Sequence, residues 1–267
     1  MPLAVCATPI GNLEDVTLRV LAELRAADTI LCEDTRRTRV LLERHGIDGR
    51  LVSYHEHNEA QRTAELLPRL EAGERIALVS DAGMPGVSDP GLRIVRAALE
   101  AGVPVTVLPG PSAVETALVA SGLAAEQYRF LGFLPRGEKQ LASVWKELRG
   151  WPWPAVAFES PQRLPATLRS LAAAEPEREV AVCRELTKRF EEVVRGTAAE
   201  VAERFSQPPK GEIALVLGPA GAADVDEEAA LRAVGELVDE GLPRRRAADL
   251  VSRLTGLPRN RLYRSSL

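Results

Sequence analysis

The chain has 267 residues, and its 34 basic and 38 acidic side chains give a formal charge of −4. This length holds one large or two modest domains, and the acidic balance excludes a protein that binds nucleic acid nonspecifically over its whole surface. The three Cys lie far apart in the sequence, which excludes a disulfide framework and a cysteine zinc site. No apolar run reaches the ~20 residues that a membrane helix needs. Because the N-terminus also lacks a targeting signal, we expect a soluble, cytoplasmic protein with no membrane partner.

Strand and helix patterns alternate through the first half of the chain. Each predicted strand is followed by a helical pattern, and the strands cover residues 3–7, 29–32, 51–54, 76–79 and 103–108. Asn58 and Gln61, three residues apart, predict a capping box at the start of the third helix. Alternation of this kind indicates a largely parallel sheet with helices on its faces.

The second half resumes the pattern around a predicted hinge at residues 135–137. Strands are predicted at residues 128–134, 155–158, 179–183, 191–194 and 213–217, with residues 189–196 in antiparallel pairing. We therefore expect an α/β fold with two α/β lobes, residues 1–135 and 136–222, and a cleft between them. Residues 223–267 are predicted to form a small C-terminal helical unit.

Three loops rich in Gly and Pro follow predicted strands of the first lobe, at residues 8–12, 81–91 and 109–113. The middle loop holds three Gly, two Pro and two Asp, which is more than a chain reversal requires. Loops beyond the carboxyl ends of parallel strands commonly bind ligands, so we expect the three loops to converge on one small molecule. The sequence lacks the Gly-x-Gly-x-x-Gly fingerprint and the P-loop, which disfavours a Rossmann nicotinamide enzyme and a P-loop NTPase.

Seven motifs stand in order along the first 220 residues. They are TPIGNLED (8–15), CEDTR (32–36), SDAGMPGVSDPG (80–91), PGPSA (109–113), FLPR (133–136), FESP (158–161) and RELTK (184–188). With these motifs the chain resembles the bacterial ribosomal RNA small subunit methyltransferase I group of the tetrapyrrole methylase superfamily. The resemblance implies two lobes that bind S-adenosylmethionine between them and methylate the ribose 2′-hydroxyl of a decoding-region cytidine in 16S rRNA. It also implies a homodimer and the small ribosomal subunit as partner.

The resemblance further implies which residues line the cofactor pocket. The three loops would contribute Ile10, Asp81, Gly83, Met84, Val87, Ser112 and Ala113. The hinge and the second lobe would close the pocket with Leu134, Phe158 and Glu212. A carboxylate suits the ribose hydroxyls or the amino group of the cofactor, and apolar side chains suit its adenine. For Met84 and Val87, packing within the loop is an equally good interpretation, since pocket walls and cores both need apolar surface.

Methylation of a ribose hydroxyl is helped by a general base or a nearby positive charge. The polar residues after the second and third predicted strands favour this role for Asp34, Arg36, His55 and Asn58. The alternative for Asp34 and Arg36 is a surface ion pair at a helix start, which contributes little. His55 and His57, two residues apart, could also share a metal ion. A full set of ligands is hard to assemble around them, so no metal is expected. No single residue is assigned as the base.

Basic residues that could bind RNA phosphates occur in two groups, one around the predicted cleft and one at the C-terminal end of the chain. Those predicted to surround the cleft are Arg37, Arg136, Arg163, Arg184, Lys188 and Arg189. From residue 242 onward the chain has seven Arg, including Arg244 and Arg245, and one acidic residue, a net charge of +6. The apolar face predicted there consists of Ala247, Leu250, Val251 and Leu254. The pattern resembles a helix-turn-helix that contacts RNA or pairs subunits, although Arg-rich helices are often only solvated faces.

Two other functions fit parts of this sequence. The first is a carbon methylase of a tetrapyrrole or corrin precursor, which would share the fold and the cofactor. The second is a non-enzymatic RNA-binding factor with a relict cofactor site, which the intact Gly/Pro loops disfavour. Only three Trp, three Tyr and five Phe are present and no RNP-type motif is found, so bases are not expected to stack on a sheet.

Overall fold

Two five-stranded sheets and a helical unit make up the structure, a computed structural model that describes residues 2–220, 227–255 and 257–265. The first lobe contains β1 (Leu3–Cys6), α1 (Leu18–Ala26), β2 (Thr29–Cys32), α2 (Thr35–Arg44), β3 (Leu51–Ser53), α3 (Glu59–Glu71), β4 (Ile76–Leu78), α4 (Leu92–Glu100), β5 (Val105–Leu108) and α5 (Ala113–Ser121). The second lobe contains β6 (Arg129–Phe133), α6 (Glu138–Leu148), β7 (Ala155–Glu159), α7 (Leu164–Ala174), β8 (Glu179–Arg184), β9 (Glu192–Thr197), α8 (Ala198–Arg204) and β10 (Ile213–Leu217).

The first sheet is parallel throughout, in the order β3-β2-β4-β1-β5, as the sequence predicts. Its central strands alternate their side chains between two separate cores. Ala4 and Cys6 pack with α1 on one face, and Leu3 and Val5 pack against α3 and α4 on the other. A parallel sheet buried on both faces explains why its strands are continuously apolar. This arrangement brings the carboxyl ends of β1, β2, β4 and β5 to one edge, where the Gly/Pro loops begin.

The second sheet is mixed, in the order β6-β7-β10-β8-β9. Only β6 and β7 are parallel, and the predicted antiparallel pairing near residues 189–196 is the β8–β9 ladder. The predicted boundary at residue 135 is wrong in one respect, because β6 hydrogen-bonds to β7 and belongs to the second sheet. The chain therefore passes between the lobes before Arg129. The motif residues after β7, after β8 and before β10 all lie at one edge of this sheet, since Ile213 pairs with both Glu159 and Arg184.

Helix α5 joins the lobes by packing across a face of the second sheet. Val114 and Leu118 of α5 share a buried cluster with Ala181 and Val216 of the second sheet. The guanidinium of Arg195 on β9 donates hydrogen bonds to the carbonyl oxygens of Ser121 (2.9 Å) and Ala120 at the end of α5. A cation at a helix C-terminus is favourable because it offsets the helix dipole. The two lobes are thus fixed to each other by apolar burial and by this cap.

The C-terminal unit consists of α9 (Glu227–Asp239), α10 (Arg244–Thr255) and α11 (Arg259–Ser265). Its own core contains Ala230, Val234, Ala247, Ala248, Val251 and Leu262. The predicted apolar face is partly wrong, because Leu250 is 39% and Leu254 85% exposed, while Ala248 is buried. Helix α10 is rotated so that it packs on α9 and α11 together. Residues 223–226 and the predicted turn residue Gly256 lie outside the described residues. Within the described ranges, no helix combines the length and apolarity needed to cross a membrane.

Candidate active site

The first two Gly/Pro loops are joined by backbone hydrogen bonds. Thr8 N donates to Gly83 O at 2.8 Å, and Gly83 N donates to Thr8 O at 3.0 Å. The Thr8 hydroxyl also donates to Ser80 O at 3.0 Å. Gly83 has a φ of +77°, and a Cβ there would stand 3.8 Å from both Ile10 and the carbonyl of Pro111. All three loops therefore meet at Gly83, as the sequence predicts, at a backbone conformation that glycine adopts without strain.

A cavity of about 310 Å³ lies beside this junction, between the two lobes. Its walls include Ile10, Gly11, Arg37, Thr38, Asp81, Ala82, Lys188 and Glu212. Three of the predicted cofactor residues, Ile10, Asp81 and Glu212, are among them. The volume falls at the lower end of the range for small-molecule sites. The cavity combines two cations, two carboxylates and an apolar wall, so it can hold a charged nucleoside derivative.

The other predicted cofactor residues lie around the cavity but do not line it. Met84 packs against the first-lobe core, and Val87 is 47% exposed. Ser112 and Ala113 begin α5, where the Ser112 hydroxyl donates to Glu115. Leu134 does not face the cavity as predicted, because its side chain is buried in the second-lobe core.

Phe158 lies in an aromatic group on β6 and β7. Its ring stands edge-on to Phe130 at 5.1 Å and to Phe133 at 5.6 Å, measured between ring centroids. It also packs in the interlobe cluster with Ile10 and Ala113. This position gives Phe158 a role in joining the lobes and leaves the 66% exposed Phe133 as the ring that faces outward.

Asp34 caps α2 and fixes the neighbouring Asp81. The carboxylate of Asp34 accepts from Arg36 N at 2.8 Å and from the Arg36 guanidinium at 2.7 Å and 3.1 Å. These hydrogen bonds lower the pKa of Asp34 to about 2. Asp34 N donates to Asp81 Oδ1 at 3.0 Å, and Arg37 lies 3.4 Å from Asp81 Oδ2. Since a carboxylate with so low a pKa binds a proton weakly, Asp34 is suited to positioning and not to proton removal.

His55 and Asn58 form a local turn between β3 and α3. Asn58 Oδ1 accepts from His55 N at 2.8 Å, and Asn58 Nδ2 donates to Ser53 O and lies 3.2 Å from His55 Nε2. The predicted capping box is therefore wrong, because Asn58 occupies the N-cap position without capping and Gln61 bonds to Glu65 instead. His55 Nδ1 is buried and has no hydrogen-bond partner among the described residues. The ring of His57 stands 5.9 Å away at a steep angle.

Two carboxyl groups near Asp81, those of Glu33 and Asp89, have raised pKa values. Neither is assigned a role from the sequence. Burial and the negative charges of Glu33 and Asp81 together raise the pKa of Asp89 to about 6, against a hydrogen bond from Ser80. Burial and Asp81 also raise the pKa of Glu33. Both groups line an open groove of about 930 Å³ between α3 and α4. The sequence signal for Asp89 is the second Ser-Asp pair of this loop, Ser88-Asp89. From the sequence, only Asp81 of the first pair is assigned a role.

The predicted RNA-binding residues of the second lobe differ in their surroundings. Arg136 is exposed, and the Arg189 guanidinium lies 5.5 Å from the ring of the exposed Phe190. Arg184 donates to Glu192 (3.0 Å) and to the backbone of residue 210. Arg163 donates through Nη2 to the backbone of the hinge and to buried Glu159, so this nitrogen makes its contacts within the protein.

The residues at the cavity fit S-adenosylmethionine. Asp81 offers a carboxylate to hydroxyl or amino groups, and Arg37 offers a cation to a carboxylate. The first and second loops contact each other through the backbone hydrogen bonds between Thr8 and Gly83. Among the described residues, no group of three or more His, Cys, Asp or Glu is arranged to hold a metal ion.

Comparisons with known proteins show the family of the chain. A family model for Tetrapyrrole (Corrin/Porphyrin) Methylases matches residues 2–202, and one for the RsmI C-terminal HTH domain matches residues 223–267. Proteins named Ribosomal RNA small subunit methyltransferase I from Mesorhizobium japonicum and Micromonospora olivasterospora are both 44% identical to this chain. The matches cover 99% and 98% of this chain and 91% and 85% of those relatives. The protein of that name from Thermotoga maritima is 46% identical over 80% of this chain and 97% of its own.

Solved structures share the fold of the two lobes. Uroporphyrin-III C-methyltransferase from Thermus thermophilus, solved with S-adenosylhomocysteine, has a TM-score of 0.58 at 20% identity, covering 82% of this chain and 97% of that one. Diphthine synthase has a TM-score of 0.63 at 17% identity, covering 81% and 89%. At these identities the likeness concerns the fold, whereas the family follows from the matched models and the nearly full-length relatives. The chain belongs to the ribosomal RNA small subunit methyltransferase I family of the tetrapyrrole methylases.

Proposed function

We propose that this S-adenosylmethionine-dependent methyltransferase modifies small-subunit ribosomal RNA at the ribose 2′-hydroxyl of a cytidine in the decoding region of 16S rRNA. The observation that carries the proposal is the 44% identity to a protein named Ribosomal RNA small subunit methyltransferase I over 99% of the chain. That span includes the basic C-terminal unit, whose residues 223–267 match the family model for the RsmI C-terminal HTH domain. A carbon methylase of tetrapyrroles would share the lobes, but it would have no evident use for seven Arg after residue 241.

The chain's own residues would mainly bind and orient the reacting groups. Bound S-adenosylmethionine supplies a methyl group on a sulfonium sulfur. Asp81 is fixed from two sides by the backbone of Asp34 and by Arg37, so its carboxylate enters the cavity in one orientation. Packing of Ile10 and Phe158 in the interlobe cluster sets the distance between the lobes. Positioning of two reactants in this way supplies much of the rate of a bimolecular transfer.

The residues predicted for ribose chemistry take supporting roles in this proposal. Asp34 and Arg36 hold the start of α2 against Asp81, and His55 with Asn58 shapes the turn beside Glu33. Glu33 and Asp89 have raised pKa values but line the groove between α3 and α4, not the cavity, so no general base is assigned among them.

We place the RNA contacts on the exposed cations beside the cleft and on the C-terminal unit. Arg37, Arg136 and Arg189 are exposed at the cleft, and Arg245 is exposed at the start of α10. Arg244 belongs to the same helix start. Contacts between these cations and phosphates would make affinity fall steeply with salt. We also propose that the protein is a cytoplasmic homodimer, as expected from its family. The mass of the purified protein in solution tests the dimer.

The test is methyl transfer from labelled S-adenosylmethionine to small ribosomal subunits that lack their native methylations. Nuclease digestion and mass spectrometry then locate the label. One 2′-O-methylated cytidine in the decoding region is the expected result. Label on a base, or on no RNA at all while an acidic tetrapyrrole is methylated in a parallel reaction, would overturn the proposal.

A further inference from the structure

The turn between β8 and β9 holds two non-glycine residues in the left-handed backbone region. Glu185 has a φ of 52° and Thr187 a φ of 65°. Such values are uncommon outside glycine and are outliers for a β-branched residue such as Thr. Strain of this kind persists only where the surroundings impose it, and it clusters at functional sites. The role of Lys188, which follows these two residues in the turn, therefore needs an explanation.

The surroundings fix the first three residues of the turn, Glu185 to Thr187. Glu185 N donates to Glu212 O at 3.0 Å, and Thr187 N donates to the Glu191 carboxylate at 2.6 Å. The side chain of Leu186, between the two strained residues, is buried in the interlobe cluster. The turn is thus anchored by hydrogen bonds within the second lobe and by apolar burial toward the first.

The turn also rests directly on the first Gly/Pro loop. A Cβ on Gly11 would come within 2.5 Å of Lys188 Cγ and 2.7 Å of Thr187 Oγ1, so no larger residue fits there without displacing the turn. Asn12 N donates to Thr187 Oγ1 at 3.0 Å. The stem of Lys188 therefore lies along the first loop, and Lys188 is one of the residues that line the 310 Å³ cavity.

The ammonium of Lys188 is held between two carboxylates. Nζ lies 3.0 Å from Glu185 Oε1 and 2.8 Å from Glu212 Oε2. Burial lowers the pKa of Lys188, but the hydrogen bonds that Lys188 donates to Glu212 and Glu185 outweigh it and raise the pKa overall. Lys188 is therefore a cation at neutral pH. An ammonium has three donors, and the hydrogen bonds described for this part of the chain use two of them.

We infer that Lys188 is a catalytic residue whose third N–H donates to the acceptor oxygen of the substrate and stabilises the negative charge that develops there. This inference rests on the proposed function, in which the acceptor is a ribose hydroxyl. In the transfer, an oxygen lone pair forms the bond to the methyl carbon, the electrons of the carbon–sulfur bond pass to sulfur, and the hydroxyl proton leaves to water. A fixed cation in a partly dry site favours this step because it needs no reorganisation as the charge forms.

The geometry favours this role over a general phosphate contact. A phosphate contact requires only an exposed cation, and Arg136 and Arg189 already provide exposed cations at the cleft. Lys188 instead shares its cavity with Asp81 and Ile10, the residues of the cofactor loops. Its two carboxylate partners fix the direction of the remaining donor.

The test compares Lys188→Met and Lys188→Arg with Lys146→Met, an exposed lysine on α6. Each variant is assayed for kcat and KM on unmethylated small subunits, for S-adenosylmethionine affinity by calorimetry, and for thermal unfolding. We expect Lys188→Met to lower kcat about 100-fold, with KM and cofactor affinity nearly unchanged. Lys188→Arg should recover part of kcat, and Lys146→Met should match the wild type. The rate of Lys188→Met should also rise more steeply with pH, because hydroxyl ionisation is no longer assisted.

Other outcomes overturn the inference. Unchanged kcat in Lys188→Met removes the residue from catalysis while leaving the proposed function in place. A loss confined to KM would make Lys188 an RNA-binding residue only. Equal losses of thermal stability in Lys188→Met and Lys188→Arg, with no separate effect on kcat, would make it a structural link between the lobes. If the wild-type protein fails to methylate small subunits, the proposed function itself is overturned and this inference with it.

Discussion

Arg163 donates a hydrogen bond to the carboxylate of Glu159 at 2.8 Å, and the side chain of Glu159 is completely buried. The same carboxylate accepts from Thr167 Oγ1 and from Ser160 N, both at 2.6 Å. Arg163 also donates to Leu134 O at 2.7 Å. One buried charge thus connects the end of β7, the start of α7 and the hinge that leads out of β6.

Replacing Arg163 by Met should destabilise the protein. The buried Glu159 carboxylate would lose its cation, and an uncompensated buried charge is costly, so we expect the free energy of unfolding to fall by about 3 kcal/mol. Urea denaturation measures this loss. The matched control is Arg136→Met, since Arg136 is exposed at the same hinge and its loss should change stability by less than ~0.5 kcal/mol. Normal stability with weakened RNA binding in Arg163→Met would instead make Arg163 part of the RNA surface.

Replacing Asp81 by Asn should weaken S-adenosylmethionine binding without unfolding the first lobe. Asn keeps the oxygen that accepts from Asp34 N but removes the charge. A hydrogen bond to a charged group contributes about 1.5 kcal/mol or more, so the dissociation constant should rise about 10-fold. Calorimetry of the purified variant gives the affinity, and circular dichroism checks the fold. Asp48→Asn, at an exposed site, is the control. An unchanged affinity would exclude Asp81 from the cofactor site.

The parallel sheet and its loops were predictable because their signals are local. Each strand of the first sheet is a short apolar run followed by Gly and Pro, and the carboxyl ends of parallel strands necessarily share an edge. The position of β6 was not predictable in the same way. A strand that leaves one lobe and pairs in the next has the same local pattern in either lobe, and only the β6–β7 hydrogen bonds decide the matter.

The candidate site was predictable where residue type alone determines the role, as for Asp81 in its Gly/Pro loop. Leu134 was misassigned because an apolar residue at a hinge suits a pocket wall and a core equally well, and its burial depends on α6 and α7. The raised pKa of Asp89 depends on its burial and on the negative charges of Glu33 and Asp81. Burial, and the approach of Glu33 from another loop, are set by the fold and not by the local sequence. Likewise, the positive φ of Thr187 has no sequence signal, since Thr rarely adopts it.

The raised pKa of Asp89 has a consequence for stability. The native state binds the Asp89 proton more tightly than the unfolded chain does, because the pKa rises from 3.8 to about 6 on folding. Ionised Asp89 therefore destabilises the fold above about pH 6, and this cost disappears as the pH falls below 3.8, where both states are protonated. Asp89→Asn should raise the unfolding temperature at pH 8 and bring no gain near pH 4.

Thermal unfolding of the wild type and Asp89→Asn across this pH range measures the effect as a difference between two proteins. Taking the difference removes the contribution of every other titrating group. Asp48→Asn should show no such pH-dependent gain, since Asp48 is exposed. A gain for Asp89→Asn that stays constant from pH 4 to pH 8 would mean that a packing change and not the ionisation is responsible.

Removing residues 223–267 should weaken the enzyme's hold on its RNA substrate more than its hold on the cofactor. Helices α9, α10 and α11 share a core of their own, which includes Val234 and Leu262, so their removal leaves the two lobe cores intact. The deletion discards the cations of α10 and α11 but none of the residues around the cavity. We expect KM for small subunits to rise and its salt dependence to become shallower, because fewer phosphates are neutralised. The dissociation constant for S-adenosylmethionine should stay the same. Equal losses of cofactor and RNA affinity would show that the C-terminal unit supports the fold of the lobes and is not an RNA-binding unit.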